Sequence, residues 1–158
     1  MRLLVLFIFI LTFSCARVVV LEDPLSAEEH INLGYIYEKQ GKEELAKEEY
    51  LKAIKKDRRS WKAYFNLGNL YATRGEWNRA EEYYLKALEI QRDPDVLNNL
   101  AYTLHKKGED CRALRLVKEA IKKGERQEYK ETLRDIENQI KERGITCSSF
   151  EGEGDFGQ

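Results

Sequence analysis

The chain copies itself at an interval of about 34 residues, and no other feature constrains its fold as strongly. Asn32-Leu33-Gly34 with Tyr37 returns as Asn66-Leu67-Gly68 with Tyr71, and a looser third copy reads Asn99-Leu100-Ala101. Gly41, Gly75 and Gly108 keep the same register, as do the alanine pairs Ala46 and Ala53, Ala80 and Ala87, Ala113 and Ala120. A period of this length is the mark of stacked, like supersecondary units, each burying its apolar face against the next.

Within a unit the pattern is helix, glycine turn, helix. In the second, Trp61 to Thr73 is helical in periodicity, Arg74-Gly75-Glu76 makes the turn, and Trp77 to Ile90 is helical again. Ser26 and Glu29 have capping-box spacing before the first helix, and Pro94 opens the third unit, where a first-turn proline loses no helical hydrogen bond. The small residues predict close helix crossings, with Gly34 facing Ala46 and Gly68 facing Ala80. Leu33, Tyr37, Tyr50 and Leu51 in unit one, and Tyr64, Leu67, Tyr71 and Tyr84 in unit two, then fill the remaining space.

These positions together resemble the tetratricopeptide repeat, with units at 27–60, 61–93 and 94–127. The resemblance implies an all-α, right-handed superhelical stack of three helix-turn-helix repeats. Two departures stand out. The tryptophan usual at the fourth position is His30, Tyr64 or Leu97, and the proline usual near a unit's end is Arg58 in unit one and comes late, as Pro94, after unit two. After unit three, residues 128–143 carry Tyr129, Leu133, Ile136 and Ile140 on one helical face and polar residues on the other, the pattern of a capping helix. A fragment of a fourth repeat is the alternative, but the glycine and alanine signposts are missing.

The ends read differently. Met1-Arg2, the apolar run Leu3 to Phe13, and Ser14-Cys15-Ala16 have the layout of a secretion signal over residues 1–14. The run is too short to span a bilayer core of about 30 Å as a helix. Small residues beside Cys15 resemble a bacterial lipoprotein signal, which implies a lipid on Cys15 and a tether over 15–26. Ordinary signal cleavage, which discards Cys15, and an uncleaved anchor stay open. Ala16, where inner-membrane lipoproteins commonly carry aspartate, points to the periplasmic face of an outer membrane. Residues 144–158 form a Gly- and acid-rich tail whose composition predicts disorder. Cys111 and Cys147 fall at the same end of the stack and could pair in an oxidising periplasm; two unrelated cysteines is the other reading.

With 27 basic residues against 28 acidic, the chain lacks the net positive charge that nucleic acid binding demands. No phosphate loop, Cys-x-x-C or nucleophile elbow occurs, His30 and His105 are far apart, and neither enzyme chemistry, a cofactor nor a metal is expected. The Glu-Glu pairs at 28–29, 43–44, 48–49 and 81–82 are expected on helix surfaces, with Glu48 beside Lys52.

Polar residues instead collect where the first helices of stacked repeats line a concave groove. The sixth position is Asn32, Asn66 and Asn99; the ninth is Tyr35, Asn69 and Tyr102; the fifth is Ile31, Phe65 and Asn98. Three asparagines, each both donor and acceptor, could bond an extended peptide backbone, while Tyr35, Phe65 and Tyr102 hold its side chains. Satisfying neighbouring helices is the alternative use for these amides. Lys62, with Lys106 at the edge, is a sparse set of cations, and Glu28 and Asp95 oppose a carboxylate ligand. The expectation is a membrane-tethered periplasmic adaptor for a protein or peptide partner, with self-association open. The alternative is a structural subunit of an envelope, pilus or secretion assembly that docks through another face.

Overall fold

A computed structural model describes residues 23–147. The segment 1–14 expected to be a signal, Cys15 and the tail beyond 147 lie outside them. Among the described residues seven helices follow in order: α1 (Ala27–Lys39), α2 (Glu43–Lys56), α3 (Trp61–Thr73), α4 (Trp77–Ile90), α5 (Pro94–Lys106), α6 (Asp110–Lys123) and α7 (Gln127–Arg143). Helices α1, α3 and α5 each pair with the one after, and α1, α3, α5 and α7 lie side by side along the stack.

Local chemistry sets the helix ends. The Ser26 hydroxyl accepts from the Glu29 amide while the Glu29 carboxylate accepts from the Ser26 amide, closing the capping box. The hairpin turn between α3 and α4 puts Gly75 at φ +72°, a left-handed conformation that a Cβ would strain, and Gly41 and Gly108 repeat it.

The glycines inside the helices meet tyrosine rings, not the alanines expected. A Cβ on Gly34 would lie 2.5 Å from Tyr50 Cε1, and one on Gly68 would lie 2.5 Å from Tyr84 Cδ1. In unit three the same two positions are Ala101 and Val117, both buried, so a larger helix residue accompanies a smaller partner. Ala46, Ala80 and Ala113 are fully buried and admit the second helix to each crossing. Leu51, expected in the core, is exposed, because its position on α2 faces away from α1.

The third and tenth positions of each first helix face the preceding unit. Ala63 and Leu70 in α3, Val96 and Thr103 in α5, and Tyr129 and Ile136 in α7 are all buried. Helix α7 is therefore a cap that sits in the register of a fourth unit's first helix, so the two readings of this segment describe one structure. Charged ties reinforce the joints: Arg74 donates to Glu43 at 2.7 Å and Glu44 at 2.8 Å, and Arg112 to Glu81 at 3.0 Å.

Cys111 and Cys147 form a disulfide with Cα atoms 5.4 Å apart, fastening the end of α7 to the start of α6. Beside it the buried Asp110 carboxylate accepts from Gln139 at 3.0 Å and pairs with His105 Nδ1 at 2.8 Å. Arg143 approaches the same group at 3.5 Å.

Candidate functional site

The first helices present one continuous face, and its polar residues divide into two sets. Asn32 is exposed and Asn66 half-buried, and neither bonds another described side chain. Asn99 is committed elsewhere: its Nδ2 donates to Asn69 Oδ1 at 2.8 Å, and the Tyr84 hydroxyl donates to the same oxygen at 2.8 Å. Both lone pairs of Asn69 Oδ1 are thereby filled. The expected three-rung ladder is therefore two open rungs and a Tyr84–Asn69–Asn99 clasp joining α3, α4 and α5. The reason is geometric: the ninth position of one first helix lies against the sixth position of the next.

The aromatic residues divide as well. Tyr35 is 52% exposed and Tyr102 40%, and each ring has its own lysine one turn on, with Lys39 Nζ 5.0 Å and Lys106 Nζ 4.9 Å from the ring centres. Phe65 is not a free anchor. Its ring sits 6.2 Å from Trp61 and 6.1 Å from Tyr84, packed against the core. Lys62 reaches Glu28 at 3.3 Å, and Arg126 donates to Asp95 at 2.7 Å, so local acids partner cations on this face.

A cleft of about 350 Å³ opens between α3, α5 and α7, lined by Asn69, Ala72, Asn98, Asn99, Tyr102 and Thr132 among others. Asn98 is 8% exposed, its Nδ2 has only a long 3.5 Å contact to Asn99, and no donor of the protein reaches its Oδ1.

Away from the groove, the structure builds two polar clusters that the repeat pattern hid, one at His105 and Asp110 and one at His30. His30 is buried, with Nδ1 2.6 Å from Glu49 Oε2 and Nε2 3.0 Å from Asp23 Oδ2. The second approach has ion-pair distance without hydrogen-bond alignment. Glu49 is thus no surface residue, and it is Glu49, not Glu48, that holds Lys52, at 2.7 Å. Burial pushes the Glu49 carboxyl up, but hydrogen bonds from Lys52 and His30 outweigh it and hold the group below its ordinary range. The signal was present: His30 and Glu49 replace Tyr64 and Tyr83 of unit two, two polar departures in one unit. Lys39 was also missed, although it lies one turn from Tyr35.

A tetratricopeptide repeat family model matches residues 61–94, and a second TPR repeat model matches 34–75. The chain is a tetratricopeptide-repeat protein. No curated protein matches it by sequence. Among solved structures it is similar to the N-terminal domain of stress-induced protein-1 (STI-1) from C. elegans. That match has 20% identity and a TM-score of 0.62 over 70% of this chain and 94% of that one. It is also similar to the first TPR of Spaghetti (RPAP3) bound to the HSP90 peptide SRMEEVD, with 18% identity, a TM-score of 0.70, and 73% and 93% of the two chains covered. Pseudomonas aeruginosa pilF matches at 22% identity and a TM-score of 0.69 over 76% of this chain, which spans 56% of that protein. At these identities the likeness is one of fold.

Proposed function

We propose that this chain is a non-catalytic adaptor that holds an extended segment of a partner protein across the face of its first helices. The observation that carries the reading is the pair Tyr35 and Tyr102: two large aromatic residues in one register slot of the first helices, both exposed, with Tyr102 lining the cleft. Open amides at Asn32 and Asn66 supply hydrogen bonds to a peptide backbone between and beside them. The similar RPAP3 structure holds a peptide, which supports a peptide role for this fold. A lipid on Cys15 would keep the adaptor at the periplasmic face of the bacterial outer membrane.

A second reading, docking as a subunit of an envelope assembly, is favoured by one feature. Ile36 is 49% exposed, whereas its register mates Leu70 and Thr103 are buried against a preceding unit. Among the described residues, nothing fills the joint at the first end of the stack.

A photo-crosslinking residue placed at Tyr102 in one strain and at Ile36 in another distinguishes the two. One dominant foreign protein captured from Tyr102 supports the groove; capture from Ile36 alone refutes it and supports end-on docking. Metabolic labelling with palmitate tests the tether, which fails if a Cys15→Ser chain takes up as much label as the wild type.

A further inference from the structure

We propose that the cleft between α3, α5 and α7 is a carboxamide pocket, taking an asparagine or glutamine side chain of the bound segment and pairing it amide to amide with Asn98. The inference rests on the groove reading and specifies what that groove selects. Asn98 occupies the fifth position of its unit, the slot that Ile31 and Phe65 fill with apolar side chains in units one and two. It is more than nine-tenths buried, yet its Oδ1 has no donor and its Nδ2 only the long contact to Asn99. A buried amide with both ends under-used is a standing cost that an apolar residue in the same slot would avoid.

The rest of the cleft does not relieve it. Asn69 Oδ1 already accepts from Tyr84 and Asn99, and the Thr132 hydroxyl donates to the Glu128 carbonyl at 3.0 Å. Thr132 Oγ1 is therefore left as an acceptor. With Asn98 Oδ1 turned outward, the cleft offers acceptors at Asn98, Asn99 and Thr132 and N–H donors at Asn98 and Asn69. A carboxamide matches this set, with two N–H donors and a carbonyl on one rigid plane. A carboxylate has no donor for Asn98 Oδ1, and an ammonium has no acceptor for Asn98 Nδ2 and must shed its hydration. The terminal torsion of an asparagine is broad, so turning Oδ1 toward an entering donor needs no backbone movement. The Tyr102 ring, held by Lys106, forms the apolar wall for the methylene stem.

The test uses the full-length, ¹⁵N-labelled chain in detergent, with N-acetyl-glutamine-N′-methylamide as probe and the glutamate analogue as control. Side-chain amide resonances are followed by NMR. The glutamine probe should move the Asn98 amide pair and the Thr132 backbone amide, with an apparent affinity at least fivefold above the glutamate analogue. Asn98→Leu should abolish that response and leave Tm equal or higher, since it removes the unpaired group. Equal responses to both probes, or a response surviving in Asn98→Leu, overturns the pocket. If neither probe binds while a panel of extended decapeptides still moves Asn32 and Asn66, the pocket falls and the groove stands. If no peptide moves any of these amides, both fall.

Discussion

Replacing Gly68 with alanine should change sign of effect according to what stands opposite it. In the native chain the new Cβ would lie 2.5 Å from Tyr84 Cδ1 and Cε1 and 3.0 Å from Cζ, about an ångström inside ordinary contact. The ring has nowhere to go: it is buried, its hydroxyl is held by Asn69 at 2.8 Å, and Phe65 lies 6.1 Å away. Overpacking of this kind costs roughly 1–3 kcal/mol, and here a whole ring face is met, so the upper half of that range applies. Against it, alanine in a helix interior is about 1 kcal/mol better than glycine. The net expectation is a loss of about 1–2 kcal/mol. Tyr84→Val alone should cost roughly 2–4 kcal/mol through the cavity and the lost hydroxyl. In that background Gly68→Ala meets no ring and should stabilise by about 1 kcal/mol, because the pair then copies Ala101 and Val117 of unit three. Urea unfolding of the four chains, followed by far-UV circular dichroism, gives the cycle, with a coupling of about 2–3 kcal/mol expected. If Gly68→Ala has the same sign in both backgrounds, glycine is not there to admit the ring, and the account of the crossing is wrong.

The remaining predictions concern the two ends and the groove. Cys111→Ser with Cys147→Ser opens a loop of 36 residues and should cost roughly 3–4 kcal/mol in the chain-entropy picture. Hydrogen exchange should then show the last turn of α7 fraying while amides near Tyr129 and Ile136 stay protected; uniform loss along α7 would contradict this. Glu49 is held below its ordinary value of 4.5 in the folded chain and returns to it on unfolding. Its contribution is therefore complete above that pH and lost as pH falls through the lower folded value. Glu49→Gln should lower stability at pH 7 by roughly 1–3 kcal/mol and flatten the Tm profile below the carboxyl's ordinary value of 4.5, and an unchanged acid limb would count against the His30 pair. Phe65→Ala should destabilise by roughly 3–4 kcal/mol as a core truncation, whereas Tyr102→Ala should stay within about 0.5 kcal/mol of wild type in thermal unfolding.

The helices were legible because their signals are local. A 3.6-residue apolar period, a glycine requiring positive φ, and Ser26 three residues before Glu29 act within one or two turns of chain. The stack was legible because the same signals recur. What could not be read was which side chains meet across the joints. Asn69 and Asn99 are 30 residues apart, and whether an asparagine faces a ligand or a neighbouring helix turns on a difference of one helical position. The same limit applies to Phe65, which periodicity places on the groove side but which the bulk of Trp61 and Tyr84 draws into the core. Buried polar pairs were harder still, since a repeat pattern assigns glutamate to the surface by default. Only the coincidence of two pattern-breaking residues, His30 and Glu49, could have exposed that pair in advance.

The two ends of the stack are finished in opposite ways, and this bears on how a partner could add to it. At the C-terminal end α7 imitates the first helix of a further unit: Tyr129 and Ile136 take the inward positions, and its outer face is charged. The disulfide, together with the hydrogen bonds from Gln139 to Asp110, holds it there. Among the described residues of α7, every fully exposed position is polar. At the N-terminal end the equivalent inward positions are Glu29, spent on the capping box, and Ile36, half uncovered with Leu45 also exposed nearby on α2. A helix supplied by a partner would gain apolar burial at the first end and none at the last, so end-on growth has one direction only. The chain leaves unit one from that same end, where Asp23 reaches back to His30 and Lys56. The described chain thus enters the stack at the open joint, with the α7 cap at the other end and Tyr35 and Tyr102 on the side face between them.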